Sequence, residues 1–138
     1  MAQSGLLLLA GRILLAVMFL TSGYGALADL AGAAAYFAAL GMPMPQFVAL
    51  GTGIFEVAAS LLLIAGYQTR LVALALAAFS VAASTIGHLG QGDGAALAFL
   101  HWQAFLKDIA VAGGLLAYAA CGAGPLSVDA RLTPSSRP

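Results

Sequence analysis

The sequence predicts an all-α integral membrane protein, an antiparallel up-down bundle of four helices with a short interfacial helix between the first two. Three observations predict it. Of 138 residues 62% are hydrophobic and 7% charged, against about 25% charged in a soluble domain, so five Lys plus Arg and five Asp plus Glu cannot cover a surface facing water. The apolar residues fall into four runs that approach the roughly 20 residues one crossing needs. Four crossings also leave room for ends and connections, which five or six would not.

The first span covers residues 6–30, from Leu6-Leu7-Leu8-Leu9-Ala10 to Asp29. Its start lacks the positive region of a secretion signal and has Arg12 inside the apolar run, so it reads as a retained helix. Residues 31–40, rich in Ala with Tyr36 and Phe37, are too few to cross and end at Gly41-Met42-Pro43-Met44-Pro45; they read as a helix lying in the interface. The second span, 46–65, is followed by the turn Gly66-Tyr67-Gln68-Thr69-Arg70, short enough to make spans two and three antiparallel neighbours. The third, 71–86, runs into a loop with glycines at 87, 90, 92 and 94, which disfavour helix. The fourth, 102–121, opens at Trp102, an interfacial aromatic. Residues 122–138, with three prolines, read as an irregular tail. The chain is a single domain. Arg12, Arg70, Arg131 and Arg137 fall on one side and Lys107 on the other, which predicts both termini in the cytoplasm.

Several function classes drop out. Zero formal net charge and no basic run leave no footprint for nucleic acid. A single cysteine, Cys121, builds no disulfide, dithiol or cysteine metal site within the chain. Gly51-Thr52-Gly53 resembles a dinucleotide fingerprint but lies inside a span, and Gly90, Gly92 and Gly94 lack the Lys and Ser or Thr of a phosphate loop.

What remains is a set of polar groups in apolar helices, each costing about 2.5–3.5 kcal/mol at the bilayer centre if ionised. Glu56 lies at the middle of span two, with Thr52 and Ser60 one turn either side. Span three offers Ser80, Ser84 and His88; span four offers His101, Lys107 and Asp108. One reading pairs Arg12 with Glu56 as a structural ion pair, the hydroxyls bonding back to their own helices. The other makes the interior a polar pocket with Glu56 at its floor and His88, Lys107 and Asp108 towards its mouth, able to hold a quinone or another carbonyl or phenolic molecule, or to pass protons. The separation of His88 and His101 fits no metal motif, so no metal site is expected.

Taken in order, these features resemble the DoxX family of small four-helix bacterial membrane proteins. The resemblance rests on Arg12, Ser22-Gly23, Tyr36-Phe37 before a proline, Glu56, Gly66, Arg70, His88, Lys107-Asp108, Gly113-Gly114, Gly122-Ala123-Gly124 and Ser127-Val128-Asp129. Members often have Lys soon after the Ser-Gly of span one, where this chain has Gly25 and Ala26, and Lys-Asn where it has Lys107-Asp108. The first departure removes a cation and the second adds an anion. The resemblance implies a bacterial inner-membrane protein associated with quinone, thiol or sulfur redox metabolism and oxidative stress, working with soluble redox partners. On that reading Arg12, Glu56, His88, Lys107 and Asp108 are ligand-binding candidates and an exchangeable quinone is the expected small molecule. The alternatives are a noncatalytic subunit or assembly platform acting through the tail, and a proton-coupled transporter working as a homo-oligomer. Whether the chain is itself an enzyme stays open.

Overall fold

The computed structural model describes residues 2–132. Four long helices, α1 (Ala2–Ala28), α3 (Pro45–Ala65), α4 (Thr69–His88) and α5 (Ala95–Cys121), form an up-down bundle, with α2 (Leu30–Ala39) and α6 (Val128–Leu132) as short additions. Each long helix is apolar and long enough to cross a membrane. Helix α1 packs along α3 and α4 along α5, while α2 lies on α3.

Asp29 sets the joint between α1 and α2: its carboxylate accepts a bond of 2.9 Å from the backbone N–H of Gly32, an N-cap. Gly41 in the left-handed region and Pro45 at the first turn of α3 place the next break. Helix α3 ends in a Schellman turn. Gly66 adopts φ +70°, and the N–H groups of Gly66 and Tyr67 bond to the carbonyls of Leu63 and Leu62.

The inside-out pattern fits lipid surroundings. Leu7, Leu14, Phe47, Leu61, Leu71 and Leu100 face outwards, whereas Arg12, Glu56, Ser60, Ser80 and Ser84 are buried beside Ala16, Phe19, Leu63, Leu76 and Leu115. Lipid supplies no hydrophobic drive for helix association, so small residues must let backbones approach. Gly23 does so at the α1–α3 crossing, where an added Cβ would stand 2.8 Å from the Gly53 carbonyl oxygen and 2.8 Å from the Glu56 Cβ.

Two expected boundaries change. Helix α5 begins at Ala95, seven residues before Trp102, because Ala95-Ala96-Leu97-Ala98 is strong helix-forming sequence. Trp102 instead stacks on Phe105 within the helix, ring centroids 5.6 Å apart. The tail is not irregular throughout: α6 folds back onto the α3–α4 turn, where the Asp129 N–H bonds to the Gly66 carbonyl at 2.9 Å. Arg137 lies outside the described residues.

Candidate functional site

Polar groups gather at the two ends of the bundle. At the end formed by the start of α1 and the close of α3, the completely buried Arg12 donates through Nη1 to the carbonyls of Leu63 (3.4 Å) and Ile64 (3.3 Å), and through Nη2 to that of Leu126. Leu63 and Ile64 lie in the last turn of α3, whose carbonyls run out of i+4 helical donors and attract a cation, while Leu126 lies between α5 and α6. Asp129 completes the arrangement from α6, its carboxylate accepting from the backbone N–H groups of Gln68 (2.7 Å) and Thr69 (2.9 Å). It thereby caps α4 from a distant part of the chain. Burial pushes the Asp129 carboxyl up, but the N–H bonds from Thr69 and Gln68 and the Arg12 charge pull it to a net position below the usual carboxylate range. Tyr118 ties α5 to the same end through its hydroxyl, which donates to the Leu8 carbonyl at 2.8 Å.

Arg12 and Glu56 therefore do not form the expected ion pair. From Leu63 and Ile64 back to Glu56 is seven to eight residues, about 10–12 Å along α3. The guanidinium points the other way, towards backbone carbonyls at the close of α3 and at Leu126. Among the described residues the carboxyl of Glu56 is bonded by Ser22, whose hydroxyl donates to Oε2 at 3.1 Å.

Glu56 instead faces a cavity of about 660 Å³ in the opposite half of the bundle. Ser22 and Phe19 of α1 line it, as do Tyr36 and Phe37 of α2, Thr52 and Glu56 of α3, Phe79, Ser80 and His88 of α4, and Asp108 of α5, with Asp29 at the α1–α2 joint. Gly87 lets α2 close this wall, for the Tyr36 hydroxyl lies 2.8 Å from where a Gly87 Cβ would stand. Burial pushes the Tyr36 phenol above its ordinary range, so it stays protonated. Both departures from the family pattern fall here: Gly25 and Ala26 line the wall and Asp108 supplies a carboxyl.

A row of ionisable groups leads from the cavity. Asp108 lies 3.7 Å from Nε2 of His88, and Nδ1 of His88 lies 3.0 Å from Nδ1 of His101. Two imidazole nitrogens at that distance hold one proton between them, donor on one ring and acceptor on the other. The serine rows behave differently from one another. Ser80 and Ser84 donate across to the Asp108 and Phe105 carbonyls of α5, whereas Thr52 and Ser60 bond to carbonyls of their own helix.

Of the five ligand-binding candidates the structure brings Glu56, His88 and Asp108 together at the cavity; Arg12 belongs to the other end, and Lys107 is exposed and does not line the cavity. Sequence reasoning missed Ser22 as the partner of Glu56 and α2 as a cavity wall. Ser22-Gly23 and Tyr36-Phe37 both stood in the family-like series and were the available signals.

A family model described as DoxX matches residues 7–89. Two inner membrane proteins of Escherichia coli (strain K12) are similar over nearly their whole length: YphA is 31% identical over 133 residues, covering 94% of this chain and 93% of that protein, and YqjF is 30% identical over 124 residues, covering 88% of each. No solved structure matches. With apolar helices of spanning length, a family match over more than half the chain and inner-membrane relatives aligned over most of their length, the chain belongs to the DoxX family of multi-pass inner-membrane proteins.

Proposed function

We propose that the chain binds a small exchangeable quinone-type molecule in the cavity lined by Glu56 and Ser22 and exchanges protons with it through Asp108, His88 and His101. The observation that carries this reading is the cavity itself. A buried midplane carboxyl opens into an aromatic-walled space, and a row of ionisable side chains leads away from it, the combination of apolar volume and few convergent polar groups that marks a ligand site. An intramembrane acid without a protein cation beside it is expensive to keep for packing alone.

The sequence has no dithiol for holding electrons, so a soluble redox protein or the exchangeable molecule itself is proposed to carry them. Both termini are proposed to be cytoplasmic, which puts the Arg12 end inside and the cavity in the outer half. Cysteine labelling in a Cys121-free background then reaches Gly92 from outside intact cells; reversed labelling moves the cavity mouth to the cytoplasm.

The direct test is to purify the protein in mild detergent and extract it for quinones. Quinone above the level of a mock membrane preparation, or taken up on addition and lost in Glu56→Ala, supports the reading. No retained and no added quinone bound would sink it.

A further inference from the structure

The hydrogen-bonding capacity left over on the cavity wall is lopsided. Three wall hydroxyls already donate to protein acceptors: Ser22 to Glu56 Oε2, Thr52 to the Val48 and Ala49 carbonyls, and Ser80 to the Asp108 carbonyl. The groups still open are mainly acceptors. A carboxylate offers about four lone-pair positions; among the described residues Glu56, 7% exposed, receives one bond, from Ser22. Asp29 Oδ1 receives the Gly32 N–H. Asp108 stands 3.7 Å from His88 Nε2, an ion-pair separation rather than a hydrogen bond.

Among the described residues no Lys or Arg lines the cavity. A ligand bearing only acceptors would set oxygen against oxygen and leave the buried Glu56 carboxyl short of donors, the costly outcome for a polar group out of water; Asp108 is part-exposed and Asp29 exposed, so their unmet acceptors cost less. A ligand with O–H groups fills the vacancies. Tyr36 and the Nε2 of His88, each able to donate or accept, serve either kind. A proton on Glu56 would offer one O–H, and Asp29 and Asp108 would still leave acceptors in excess.

We propose that the cavity selects the reduced, hydroxyl-bearing form of its ligand, a hydroquinone whose O–H groups donate to the Glu56 and Asp108 carboxyls while its ring sits among Phe19, Phe37 and Phe79. The inference rests on the cavity being the ligand site and adds which redox form that site prefers. The opposite preference is expected of a site lined with free donors, which would hold the quinone carbonyls.

The test compares three probes on the detergent-solubilised full chain: a short-chain benzoquinone, its hydroquinone kept reduced without oxygen, and the dimethyl ether of that hydroquinone, which keeps the shape and lacks the O–H groups. The expected result is hydroquinone bound at least about tenfold more tightly than the other two. Selective binding of the reduced form raises the potential of the bound two-electron couple, by about 30 mV for a tenfold preference. Glu56→Gln combined with Asp108→Asn supplies amide donors in place of two acceptors and should bring the preference to within about twofold.

Quinone bound as tightly as hydroquinone, ether bound as tightly as hydroquinone, or a preference undiminished in the double variant overturns the inference while the cavity remains a ligand site. Tighter binding of a protonated arylalkylamine than of hydroquinone also overturns it, because the acids would then serve a cation. If none of these probes binds, the ligand-site reading fails and the inference with it.

Discussion

The two ends of the bundle both hold ionisable side chains and put them to opposite uses. At the Arg12 end the ionised groups meet backbone groups that need them: the guanidinium closes three carbonyls, and Asp129 closes two N–H groups at the start of α4. At the other end Glu56, Asp29 and Asp108 keep acceptor positions open towards a cavity. A buried charge whose bonds go to backbone groups holds the fold together, even though Arg12 Nε has no partner among the described residues, and one that opens on a cavity marks a site. Burial alone does not separate them, since Arg12 and Glu56 are both almost fully enclosed.

If that contrast is right, the largest losses of stability come from the Arg12 end. An added side chain at Gly66 would run into the Arg12 guanidinium and would sit at φ +70°, so Gly66→Val should destabilise the chain by more than about 3 kcal/mol, as should Arg12→Leu, which strands buried carbonyls at about 1–3 kcal/mol each. Detergent unfolding of both variants measures this. Wild-type-like unfolding of either would show that the network is ornamental.

The next effect, on the order of 1–2 kcal/mol, belongs to Asp129→Ala, which uncaps α4 from outside. Because the folded carboxyl titrates below its unfolded value, its charge contributes in full above the ordinary Asp pKa of about 4 and is lost as pH falls through and below that value. Asp129→Asn should keep part of the cap and lose this acid dependence. Amide hydrogen exchange at Gln68 and Thr69, followed from pH 6 to pH 3, reads it directly; protection that fades equally in wild type and Asp129→Asn would place the acid sensitivity elsewhere.

A smaller effect tests the separation of the ends. With no contact between Arg12 and Glu56, the losses from Arg12→Leu and Glu56→Gln should add to within about 0.5 kcal/mol. Rescue in the double variant would restore the ion pair that the structure replaces.

Least of all should stability respond to His88→Gln, at the half-buried cavity mouth: within about 0.5 kcal/mol in detergent, while quinone affinity falls several-fold. Equal loss of fold and binding would make the His88–His101 contact a structural clasp.

Much of this was legible along the chain. Length and charge content required lipid and four helices, because a backbone crossing a membrane must satisfy itself within each span. The position of Glu56 at mid-span followed from counting residues, and so did its separation from water. The start of α5 and the tail are less legible. Trp102 marks an interface rather than a helix start, and α6 exists because Asp129 and Ser127 find partners: Ser127 caps the Ala130 N–H, and Asp129 caps a helix some 60 residues away.

The sequence by itself thus determined how many spanning helices there are, which residues must leave lipid, and that Arg12 and Glu56 each need a reason to be buried. Only the tertiary structure decided the reasons. Which carbonyls remain free at the close of α3, how far α1 is rotated so that Ser22 meets Glu56, and whether α2 lies over the bundle or away from it depend on helix rotation and crossing. A linear pattern fixes spacing along a helix axis to within a residue, but the azimuth and depth of two side chains on different helices are set by how the small residues at their crossing let the backbones meet.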